Sequence, residues 1–82
     1  MSQAMQETSR GVMDRLQVVS SNVRSVGYDI ASHTLEVEYD GGGIYQYFGV
    51  PEVEFNRLMS ATSKGRYLND QIKCRYEFRQ VQ

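Results

Sequence analysis

The chain has 82 residues, which is room for one modest hydrophobic core and one domain. Apolar residues make up 40%, and none of their runs approaches the roughly 20 residues that a bilayer-spanning helix needs. The net charge of −1 excludes a uniformly basic surface of the kind strong nucleic-acid binders carry.

That average hides an asymmetry. Residues 1–56 hold three cations against eight anions, a net −5, whereas residues 57–82 hold six against two, a net +4. A local basic surface in the second half is therefore open, alongside the plainer reading of dispersed, solvated charges. The single cysteine, Cys74, has no internal disulfide partner and cannot build a cysteine zinc cluster, as expected of a reducing cytoplasm. The polar start of the chain lacks the basic and apolar regions of a secretory signal, which also points to the cytoplasm.

Residues 1–17 read as a tail, either disordered or forming a short helix capped by Ser9, with Val12, Met13 and Leu16 as a narrow apolar stripe. The domain proper is expected over 18–82. From Val19 the pattern is that of strands. Val26, Tyr28 and Ile30 share one face, and Ala31-Ser32-His33 reads as a turn. In Thr34–Tyr39, Leu35, Val37 and Tyr39 face one way and Glu36 and Glu38 the other, as in a half-buried antiparallel strand with a solvated charged face.

Asp40-Gly41-Gly42-Gly43 signals a hairpin, with Ile44 to Phe48 returning. Its register decides where two tyrosines go, because a slip of one residue swaps a strand's faces. With a two-residue loop, Gly41-Gly42, Val37 pairs with Gln46, and Tyr45 and Tyr47 lie beside Glu36 and Glu38. With a three-residue loop over 41–43, Tyr45 joins Tyr39 and Tyr47 joins Val37 in the core. Three glycines permit either.

Val50-Pro51-Glu52 opens a helix, with proline and two glutamates suited to its first turn. Phe55, Leu58, Met59 and Thr62 form its core-facing stripe. Ser63 is the N-cap of a second helix reaching about Lys73, with Leu68 and Ile72 on the buried side. Residues 75–81 alternate again, with Tyr76, Phe78 and Gln80 on one face. The order is β-β-β-α-α-β: an α+β domain with an antiparallel sheet and two helices packed on one face.

Little here supports catalysis. His33, the one histidine, sits in a predicted turn as a bystander, and Cys74 is expected to be a half-buried packing residue although Lys73 and Arg75 flank it. No phosphate loop and no metal-ligand spacing is present, so neither enzyme activity, cofactor nor metal is expected.

Several motifs taken in order, Val19-Ser20-Ser21-Asn22, Gly27-Tyr28-Asp29, Thr34-Leu35-Glu36-Val37, Tyr45-Gln46-Tyr47, Val50-Pro51, and Ser63-Lys64-Gly65-Arg66-Tyr67-Leu68-Asn69, resemble the KTSC domain, named for the C-terminal extension of some lysyl-tRNA synthetases. The likeness covers about residues 19–80. It implies the fold above but no established activity; RNA binding is suggested only by association with the synthetase.

The leading expectation is a non-catalytic binding module for RNA. Tyr45 and Tyr47 would stack on bases, and Lys64, Arg66, Lys73, Arg75 and Arg79 would meet phosphates. Two alternatives use the same surface. One is an interaction module binding a second copy or a host protein, and the other a pocket for a nucleotide-like small molecule.

Overall fold

The computed structural model describes residues 15–20 and 22–82. Five strands, β1 (Leu16–Ser20), β2 (Val23–Asp29), β3 (Thr34–Tyr39), β4 (Ile44–Tyr47) and β5 (Phe78–Gln80), form one antiparallel sheet in sequential order. Between β4 and β5 the chain makes helix α1 (Glu52–Ser60) and helix α2 (Lys64–Tyr67), which runs on into a wider π-helical turn over Leu68–Ile72. The α+β reading, with two helices on one face, describes this architecture.

Strand β1 is one more than the sequence pattern yields. It opens at Leu16, ahead of position 18, and pairs Leu16 with Val26 and Gln17 with Ser25. Leu16 thus lies in a strand and not in a helical stripe; Val12, Met13 and the Ser9 cap lie outside the described residues. Strand β2 ends at Asp29, so Ile30 falls in the turn and is exposed instead of lining the core.

The hairpin uses neither loop that the glycines suggest. Its turn is Asp40-Gly41-Gly42: the Tyr39 N–H donates to the Gly43 carbonyl and the Gly42 N–H to the Tyr39 carbonyl, both at 2.9 Å. This three-residue turn ends in a left-handed residue, Gly42 at φ 96°, as three-residue hairpin loops commonly do. Glu38 then faces Ile44, Val37 faces Tyr45 and Leu35 faces Tyr47. The parity is that of the three-residue alternative, although each partner is displaced by two positions. Tyr45 and Tyr47 therefore share the helix-covered face with Leu35, Val37 and Tyr39, away from Glu36 and Glu38.

Under the helices this face forms the core. Val23, Val26, Leu35, Val37, Tyr47 and Val50 pack with Leu58 of α1 and with Leu68 and Ile72 of the π turn. An irregularity at Arg24 makes this possible, since Val23 pairs with Tyr39 but Ser25 with Glu38. The extra residue lets Val23 and Val26 face the same way. Helix α1 docks through Phe55, which stacks on Tyr28 at 4.8 Å, and the Tyr28 hydroxyl holds the chain just ahead of the helix by donating to the Val50 carbonyl at 2.5 Å.

The opposite face is not the solvated surface that alternation implies. Glu36 is 0% exposed; it pairs with Arg15 and accepts a hydrogen bond from the Gln46 side-chain amide at 2.8 Å. Arg15 Nε also donates to Ser25, whose hydroxyl donates to Glu38 at 2.9 Å.

The turn makes a sharp distinction between adjacent glycines. Gly42→Ala places a Cβ in a left-handed conformation and should lower stability by about 1–2 kcal/mol. A Cβ at Gly41 meets nothing within 4 Å, so Gly41→Ala should be near neutral. Urea midpoints of the two variants check this; equal shifts would contradict the turn.

Candidate functional site

An aromatic cleft of about 620 Å³ opens where β4 meets β5, a size typical of small-ligand sites. Its floor is Tyr47, which is 1% exposed. Tyr39 and Tyr45 form one wall, ring edge against ring face at 5.5 Å. Phe78 is the rim: its ring lies 5.9 Å from Tyr45 and 5.7 Å from Tyr47, yet it remains 54% exposed. Gly43 keeps the mouth clear, because a Cβ there would stand 3.2 Å from the Tyr45 ring and 3.4 Å from the Gln80 amide.

The cleft is mainly apolar with a few polar groups. Burial above all holds the phenols of Tyr39 and Tyr47 in the neutral form, raising both above their ordinary range. Their hydroxyls share a hydrogen bond at 2.7 Å. Gln80 contributes an amide, and Lys73 the positive charge, with its Nζ 5.2 Å from the centre of the Tyr39 ring. That placement depends on the π turn. The Lys73 N–H donates to the Leu68 carbonyl five residues back, at 2.8 Å. An inserted residue of this kind rotates the later side chains around the helix axis, and such turns recur at functional sites.

The structure brings together only part of the set read from the sequence. Tyr45 and Tyr47 are both in the cleft, but Tyr47 is core and only Tyr45 is partly open to solvent. Arg66 lies in an adjoining cleft and pairs with Asp70 at 3.7 Å. Lys64 turns toward the end of α1, with its Nζ donating to the Ala61 carbonyl at 3.2 Å. Arg75 lies 3.7 Å from Glu54 and 5.9 Å from the Tyr76 ring centre. Arg79 pairs across the sheet with Gln46, so it faces the other side, over Phe48. Cys74 is exposed, contrary to the half-buried role expected of it. His33, in its turn, offers its carbonyl to the Val50 N–H at 2.9 Å.

Tyr39, Phe78 and Gln80 complete the cleft without having been singled out. The alternation in 75–81 does place Phe78 and Gln80 on one face. What sequence cannot supply is that β5 lies against β4, pairing Phe78 with Tyr47 and Gln80 with Tyr45.

A second polar cluster fixes the approach to β5. Glu54, in the first turn of α1, is 3% exposed and accepts hydrogen bonds from the hydroxyls of Tyr67 and Tyr76, the latter at 2.9 Å. Burial pushes its carboxyl up, but the two hydroxyls and the nearby Arg75 and Arg57 outweigh it and hold the group below its ordinary value. Among the described residues no group of three His, Cys, Asp or Glu side chains is placed to hold a metal, and no helix is long and apolar enough to cross a membrane.

A five-stranded antiparallel sheet with two helices on one face, and an aromatic cleft between its last two strands in space, defines a small α+β sheet domain. The chain belongs to the KTSC domain family, whose model matches residues 19–76. A KTSC domain protein from Yersinia pestis, solved as a crystal structure, superimposes with a TM-score of 0.82 at 41% identity, covering 87% of this chain and all of that one. A protein of Stutzerimonas stutzeri is 41% identical over 61 residues, 74% of this chain and 86% of its own length. The lysine–tRNA ligase of Nostoc punctiforme is 35% identical over 66 residues, 80% of this chain but 12% of that enzyme.

Two stability measurements probe the floor of the cleft and the cluster behind it. Tyr47→Ala should cost about 3–5 kcal/mol, as large aromatic truncations in cores do. Glu54→Gln should cost about 1–3 kcal/mol at neutral pH, by weakening hydrogen bonds to a charged acceptor. Because folding lowers the Glu54 pKa, the unfolded chain binds its proton more readily. Its contribution is therefore complete above the ordinary value of 4.5 and is lost as pH falls through the folded one. Urea titrations below pH 4.5 should show a flatter acid loss in Glu54→Gln than in the parent; parallel losses would contradict the assignment.

Proposed function

We propose that this domain is a non-catalytic module that binds single-stranded RNA, with an unpaired base stacked in the aromatic cleft. The observation that carries this reading is Phe78. A ring 54% exposed, in contact range of two tyrosines and at the mouth of a cleft that also holds Lys73, presents a flat apolar surface beside a cation. Every base has a π-face to lay on such a surface, while the ammonium attracts the backbone.

The similarity to a segment of lysine–tRNA ligase supports the same reading, since that enzyme acts on an RNA. The platform differs from the one the tyrosine pair suggests, because Tyr47 is the floor and the stacking groups are Phe78 and Tyr45. Cytoplasm is the compartment assigned, in keeping with an exposed free thiol at Cys74.

A second reading, association with another copy or with a host protein, rests on Phe78 and Val81, both exposed at the β5 end of the sheet. One substitution separates the two. Phe78→Ala should weaken binding of a short single-stranded RNA by about 1–3 kcal/mol, roughly 5- to 150-fold, with the thermal midpoint little changed. Unchanged RNA affinity together with a parental mass by light scattering that rises with concentration, and falls in the variant, would favour association instead.

A further inference from the structure

Beside the aromatic cleft lies another of about 630 Å³, and the two share Tyr39 and Lys73 as a common wall. The chemistry of the second is different. Its lining residues Asn22, Ser63 and Asn69 are neutral and polar, Arg66 and Lys73 are cationic, and none is acidic. These residues come from far apart in the chain. Asn22 itself is left-handed, φ 73°, and its carbonyl accepts the Asp40 N–H at 2.9 Å, which ties the start of β2 to the hairpin. Ser63 caps α2 by accepting the Arg66 N–H at 3.3 Å.

The cations of the basic half divide clearly. Arg79 is on the opposite face of the sheet, and Arg75 is engaged with Glu54 and Tyr76. Lys64 is directed to the end of α1. Lys73 and Arg66 are the two cationic residues that line the joined clefts. Arg66 does contact Asp70, but that is an exposed pair four residues apart on a helix, of the weak kind a phosphate readily replaces.

We infer that the second cleft receives the phosphodiester flanking the stacked base. The recognised unit is then one nucleotide of a single strand, with its base on Phe78 and Tyr45 and its adjoining phosphates on Lys73 and Arg66. This rests on the RNA reading above and adds to it a footprint of two phosphates. Asn22 and Asn69 supply neutral donors to the same backbone. The arrangement also sets the path of the strand: its backbone runs from the hairpin side of Lys73 toward the start of α2, along the common wall.

Counterion release makes the footprint measurable. For single strands the logarithm of affinity falls with the logarithm of salt concentration at about 0.7 per phosphate neutralised, so two contacts give a slope of about −1.4. A fluorescein-labelled adenosine hexamer, titrated by anisotropy from about 50 to about 200 mM salt, reads that slope directly. Lys73→Gln and Arg66→Gln should each bring it to about −0.7, and Arg79→Gln should leave it unchanged. Phe78→Ala should weaken binding at every salt concentration without altering the slope.

Thermal midpoints confirm that each variant is folded. A parental slope of about −3 or steeper, or slopes unaltered by Lys73→Gln and Arg66→Gln, would overturn the two-phosphate footprint while leaving RNA binding intact. Failure of the parent to bind the hexamer even at the lowest salt would overturn the RNA reading itself, and the footprint with it.

Discussion

The register of the β3–β4 hairpin is the constraint on which the rest of the molecule depends. Placing the turn at Asp40-Gly41-Gly42 sets Val37 opposite Tyr45 and Leu35 opposite Tyr47. A slip of one residue would send both rings to the face of Glu36 and Glu38, take Tyr47 out of the core, and bring Gln46 into it. With the observed register the sheet has two unlike sides. One is apolar and holds the helices; the other carries a buried carboxylate with its own partners.

Two further devices hold the cleft open at the edge of that apolar side. Glu54 joins α1, α2 and the approach to β5 through the hydroxyls of Tyr67 and Tyr76. In doing so it sets where the last strand arrives and hence where Phe78 stands. The π turn acts separately, turning Lys73 toward Tyr39 while Leu68 and Ile72 remain buried. Rim and cation are thus positioned by different parts of the chain.

Much of this is legible in the residues, and the gaps have physical causes. The alternation in Thr34–Tyr39 marks a strand and its buried side, and Val50-Pro51-Glu52 marks the start of α1, with Pro51 as the N-cap ahead of the first turn instead of within it. Leu68 and Ile72 are buried, as their spacing implies. The register is hidden because glycine bears no side chain that would prefer one of several closely similar turns. Strand β1 is hidden because Leu16 also completes a helical spacing with Val12 and Met13, and local pattern cannot decide between them. Glu36 reads wrongly for a related reason: alternation shows that a residue faces away from the helices, not whether that side is open to water. The basic residues look like one group in sequence, yet a three-dimensional sheet sends Arg79 to one side and Lys73 to the other.

The pairing of Glu36 with Arg15 bears on where the domain can be cut. A buried carboxylate without its counter-charge is strongly destabilising, whereas the intact pair is close to neutral. Arg15 lies four residues ahead of the segment, 19–76, that defines family membership, and β5 begins two residues after it. The segment that matches the family thus leaves out residues that the folded domain uses at both ends. A fragment trimmed to 19–76 would keep the hairpin but lose most of β1, the counter-charge of Glu36 and the rim of the cleft.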